Sequence, residues 1–158
     1  MYPDDFDQTF EEEPRWQFGK PSQVKKATEP LEDDGICYLD KSWHGIHFVL
    51  SNAAYDSTLP SGFLMAGKDI GTVDIGYGPA RAITASETSQ IAAFLLDIDF
   101  GKRLRALPSD AFAKADIYPF QDSDFDTYAP YLEEYFEELK SCVTDARNKG
   151  LGLIVALV

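Results

Sequence analysis

Both histidines of the chain, His44 and His47, stand three residues apart, and Asp40 lies four residues before the first. Residues three and four apart share a helix face, so these side chains could converge on a metal ion. Their neighbours argue for another role. Trp43, Ile46, Phe48, Val49 and Leu50 make this a core segment, where a histidine satisfies its nitrogens with backbone or carboxylate groups. No third histidine exists, which excludes a three-histidine zinc site. The histidines are read as structural, with no metal and no cofactor. The alternative is a small-molecule pocket near Trp43, His44, His47, Tyr77 and Arg81, a mixture of aromatic and ionisable groups that a ligand site needs. Arg81, an isolated base in an acidic chain, is expected to pair with a carboxylate such as Asp74, or to orient an anionic ligand.

Other constellations fall short. Asp122, Asp124, Asp126 and Glu133 fit positions 1, 3, 5 and 12 of a calcium loop, but Thr127 replaces the turn glycine and Pro130 stands at position 9. Those acids read as a polar turn before a helix, whose N-terminus they complement. Gly71, Gly76 and Gly78 lack the Gly-Lys-Ser/Thr of a phosphate loop. Cys37 and Cys142 have no metal-binding spacing and read as buried thiols. No catalytic residue is assigned, and the chain leans away from being an enzyme.

Charge is the stronger clue. A net of −13 opposes binding to nucleic acid, where affinity comes from bases neutralising phosphates, and to anionic membranes. It favours encounter with a basic protein partner. Glu133, Glu134, Glu137 and Glu138 lie on one helix as two i, i+4 rows, with Lys140 the nearby offset. Residues 1–35 carry ten acids against four bases, a net of −6, and are broken by Pro3, Pro14, Pro21 and Pro30. They read as an arm that docks through aromatics such as Trp16 and Phe18, and these two join the four glutamates as candidate partner-binding residues.

These residues require elements to position them. Asp40 is expected to cap a short helix with Trp43, Ile46, His47 and Leu50 on one face. Residues 51–82 read as loops and short strands. Thr84-Ala85-Ser86-Glu87 is a capping box, and Ile91, Leu95 and Ile98 supply the buried stripe of its helix. Shorter helical pieces follow over Phe100–Leu107 and Ser109–Ala115, separated by Pro108. The longest helix spans about Phe125 to Asn148, and Pro130 suggests a start at Thr127 or later. Gly150 ends it, and the apolar run 151–158 is expected as an interior strand buried on both faces. The whole reads as one α+β domain over residues 36–158, with helices packed on a small mixed sheet. The N-terminus is acidic and lacks the pattern of a secretory signal, and no run reaches the roughly 20 apolar residues of a membrane span, so the cytoplasm is the expected compartment.

Leu-Asp-Lys-Ser-Trp-His-Gly-Ile-His-Phe at 39–48, Gly-Tyr-Gly-Pro-Ala-Arg at 76–81 and Ile-Tyr-Pro at 117–119 resemble, in this order, the YfbM-like family of small bacterial proteins. The resemblance covers about residues 36–158 and implies one α+β domain, without bringing catalytic residues. The acidic, proline-broken front departs from it. Size, charge and the lack of a catalytic set lead to the expectation of a non-enzymatic binding protein, in its most concrete form an immunity protein or antitoxin that occludes a basic toxin.

Overall fold

The computed structural model describes residues 35–158. Apart from Gly35, the arm, with Trp16 and Phe18, lies outside the described residues. Five α-helices occur among them: α1 (Trp43–Ser51), α2 (Ala85–Asp97), α3 (Phe100–Ala106), α4 (Ala111–Lys114) and α5 (Phe125–Asn148). Three strands, β1 (Lys68–Asp69), β2 (Arg81–Ile83) and β3 (Leu153–Val155), form a sheet in the order β1-β2-β3. Together they make an α+β architecture. Both pairings are antiparallel, Asp69 opposite Arg81 and Ala82 opposite Ile154, so the sheet is not mixed.

The C-terminal run also differs from expectation. Only Leu153–Val155 is strand, and it occupies an edge of the sheet rather than the interior. Leu153, Val155 and Leu157 are buried while Ile154 and Ala156 are half-buried. The period-2 alternation of a strand therefore reappears within a sequence that is apolar throughout. Leu157 stays in place because its carbonyl accepts the Tyr77 N–H at 3.1 Å. Gly76 permits this approach: its φ is +146°, and a Cβ there would lie 2.9 Å from the Val158 Cα.

The core is built on α1, whose residues from Trp43 to Leu50 are all buried. Its N-cap is Ser42, not Asp40. Asp40, two residues earlier, takes a φ of 46°, and its carboxylate accepts the Tyr131 hydroxyl at 2.8 Å. Asn52 ends the helix in the left-handed region, its N–H donating to the Phe48 carbonyl at 2.8 Å. The Thr84–Glu87 capping box starts α2 with both reciprocal bonds made. α5 begins at Phe125, so Pro130 lies inside it rather than in its first turn. A proline so near the N-terminus removes one N–H donor and leaves the helix continuous. Tyr128, Leu132, Phe136, Leu139 and Val143 form its buried stripe. α2 and α5 pack against each other, and α3 contacts both α1 and α5.

Candidate functional site

The histidine nitrogens are committed to the backbone in different ways. His44 Nδ1 accepts the Tyr118 N–H at 3.0 Å, which leaves Nε2 protonated and donating to the Ala54 carbonyl at 3.1 Å. One imidazole thus ties α1 to two loops. His47 Nε2 accepts the Asp56 N–H at 3.2 Å, so its proton sits on Nδ1. That Nδ1 is buried with no hydrogen-bond partner. Burial lowers the proton affinity of both rings. His47 falls from an ordinary 6.5 to about 4, with His44 and Arg81 adding to the effect and Asp56 opposing it. Both rings are therefore neutral near pH 7, and the unprotonated nitrogen of each already holds an amide N–H.

Arg81 lies on β2, half-buried, and its Nη2 donates to the Leu64 carbonyl at 2.7 Å. The expected pairing with Asp74 does not form. Asp74 Oδ1 instead accepts the N–H groups of Gly76 and Gly78 at 2.9 and 3.0 Å, closing the glycine loop on itself. Asp69, the cross-strand neighbour, supplies Arg81 with its opposing charge. Arg81 Nε is a second buried donor with no partner. Tyr77 meets Trp43 edge-on at 5.1 Å, Trp43 stacks on His44 at 4.9 Å, and Tyr55 leans on His44 at 5.4 Å. The structure thus gathers Trp43, His44 and Tyr77 in ring contact, and sets His47 within electrostatic reach of Arg81. Tyr55 and Asp56 complete the group. Sequence reading missed both, since neither belongs to a motif and a loop brings them back onto α1.

The four glutamates separate into two rows. Glu133 and Glu137 line a cleft of about 390 Å³ together with Asp97, Asp99, Gly101 and Lys140. Phe100 and Phe136, stacked 4.2 Å apart at 7°, form its apolar wall. Lys140 pairs with Glu137 at 2.7 Å, and Arg105 reaches from α3 to Glu133 at 2.5 Å. Arg105 is thus a second local offset, beside Lys140. Asp99 caps α3 by accepting the Lys102 N–H at 2.9 Å, the sequence signal that could have placed it here. Glu134 and Glu138 are exposed on the adjoining strip of α5, where Glu138 lies near Cys37.

The calcium template does not survive folding, because residues 125–133 are helical and Glu133 is turned to Arg105. Among the described residues, no cluster of three or more histidine, cysteine or carboxylate side chains could hold a metal ion, and no helix is long and apolar enough to cross a membrane.

A family model described as a domain of unknown function (DUF1877) matches residues 5–156. The match begins well before the boundary at residue 36. No curated protein and no solved structure matches the chain.

Proposed function

We propose, for a chain that belongs to the DUF1877 family, a non-enzymatic role as an acidic binding protein for a basic protein partner. The motifs at 39–48 and 76–81 support placing it with the YfbM-like proteins. The most concrete form of the role is an immunity protein or antitoxin that occludes a basic toxin.

The observation that carries this reading is the cleft between α5 and the start of α3. Four carboxylates surround a wall of two stacked phenyl rings. A guanidinium suits such a site, since it can lie on an aromatic face while its fork meets carboxylates. The ion pairs already present are no obstacle. Each pair has one well-exposed member, Arg105 at 58% against Glu133 at 34% and Glu137 at 64% against Lys140 at 28%, and ion pairs open to solvent are worth only about 0–1 kcal/mol, so a partner's cation can compete for either one. The acid-rich residues 1–35 extend the same sign of charge.

The test begins with the partner co-purified from the native host. Glu133→Lys/Glu137→Lys and a deletion of residues 1–30 are then compared with the intact chain. Charge reversal is expected to lower the association rate on the order of tenfold at low salt and to flatten its salt dependence, with the dissociation rate changing less. Unchanged affinity and salt dependence in both variants would reduce the acidic surfaces to solubilising groups. The second reading, a small-molecule site near Trp43, His44, His47, Tyr77 and Arg81, is favoured by the two unpartnered buried donors on His47 and Arg81. It calls for a ligand with an acceptor group, and binding abolished by Arg81→Met but not by Glu133→Lys/Glu137→Lys would select it.

A further inference from the structure

The segment that leads into α1 runs antiparallel along one face of α5. Asp40 accepts the Tyr131 hydroxyl at 2.8 Å. Tyr38 lies within electrostatic reach of Tyr135, and Cys37 within reach of Glu138. At the far end Cys142 Sγ donates to the Gly35 carbonyl at 3.9 Å. Tyr131, Tyr135, Glu138 and Cys142 are spaced by four, three and four residues, one continuous helix stripe. This register brings the two cysteines together across 105 positions of sequence, close enough that Cys142 raises the proton affinity of the Cys37 thiol. Both belong to the same apolar cluster, Cys37 inside it and Cys142 packed against it. Sequence spacing gives no hint of the pairing, because a helix and an extended segment meet here.

We propose that Cys37 and Cys142 are a redox pair, forming a reversible disulfide that staples the leading segment to α5. The register supplies what such a bond requires, two cysteines in one apolar cluster, with Cys142 Sγ already at the carbonyl of Gly35, two residues before Cys37.

The two thiols divide the work by exposure. Cys37 is 7% exposed, and its thiol is held protonated by the neighbouring Cys142, by burial and by Glu138. Cys142 is half-buried and meets an oxidant first. With a low-molecular-weight disulfide as oxidant, the Cys142 thiolate attacks one sulfur and expels a thiolate, giving a mixed disulfide. Cys37 sulfur then attacks Cys142 sulfur and expels the second thiolate, which takes up the Cys37 proton. Two protein thiols are oxidised, and one small disulfide is reduced to two thiols. In a reducing compartment such a bond is transient, as redox-sensing disulfides are. Its effect is topological. It fixes the point where residues 1–35, which carry −6 of the net charge of −13, join the domain, independently of any partner.

The experiment uses the full chain, reduced, desalted and then incubated with oxidised glutathione. The expected product is a monomer that has lost two hydrogen masses and both titratable thiols, with a Cys37 peptide joined to a Cys142 peptide and full reversal by dithiothreitol. Its urea midpoint should rise, because the bond closes a loop of more than 100 residues in the unfolded chain. In Cys37→Ser the reaction should stop at the glutathione adduct on Cys142. A persistent glutathione adduct on Cys142 of the intact chain, with the Cys37 thiol still titratable, would overturn the proposal. So would disulfides formed only between chains.

Discussion

Acidification from pH 7 to pH 5 is expected to cost this protein about 2 kcal/mol of stability through His47 alone. The ring is 0% exposed, its Nε2 accepts the Asp56 N–H, and its folded-state proton affinity is lowered from 6.5 to about 4. Between those two values the unfolded chain holds a proton that the folded chain does not. Stability is therefore complete above about pH 6.5, falls as the pH drops, and has lost roughly 3 kcal/mol below pH 4. His44, also lowered by burial, adds loss of the same sign. Two other effects are separable. Asp56 and Asp110 have lowered values, so their stabilisation is lost only below the ordinary 3.8, beneath this window. The net charge of −13 shrinks toward the isoelectric point near 4.4, which relieves self-repulsion and opposes the loss. The assay is urea unfolding followed by far-ultraviolet circular dichroism at pH 7, 6 and 5, on the intact chain and on His47→Gln. Glutamine keeps an acceptor near the Asp56 N–H and does not titrate, so its stability should change with pH by about 2 kcal/mol less. A wild-type stability that is flat or rising from pH 7 to pH 5, or an equal slope in His47→Gln, would refute the reasoning.

Gly45→Ala should destabilise despite a gain of about 1 kcal/mol in helix propensity. A Cβ there would lie 2.9 Å from Leu132 Cδ2 and 3.0 Å from Phe120 Cε2 in a filled core, so a net loss of about 1–2 kcal/mol in urea unfolding is expected. Thr84→Ala removes the hydroxyl that accepts the Glu87 N–H and opens the capping box, for a loss of about 1 kcal/mol and a lower thermal midpoint by calorimetry.

Local patterns in the sequence were reliable where the causes were local. The capping box at Thr84, the break at Pro108 and the stop at Gly150 all depend on neighbours a few residues away. What failed depended on distant partners. Periodicity gave α1 one buried face, yet the helix is buried all round, because Tyr118 and Arg103 reach it from later segments and Leu132 packs on Gly45. Asp40 looked like a cap until Tyr131, 91 residues away, claimed its carboxylate. The run 151–158 looked like an interior strand because its apolarity is unbroken, whereas its place at the edge is set by pairing with β2. Of the candidate sites, the residue types near Trp43 and the glutamate rows could be read directly. The cleft wall from Phe100 and the partnership of Cys37 with Cys142 could not, since each joins elements far apart in sequence.

The long reach of the His44 ring bears on how the chain is made. Its Nδ1 takes a proton donor from residue 118, and the sheet closes only when residues 153–155 pair with β2. During synthesis α1 leaves the ribosome before Arg103, Tyr118 and Leu132, which cover it, have been translated. A nascent chain stopped before Tyr118 carries an apolar helix with one imidazole nitrogen unanswered and without Phe120 and Leu132, which pack on Gly45. Such a fragment exposes the surfaces that recruit chaperones and drive aggregation. The helix bearing both histidines is thus made before the segments that shelter it.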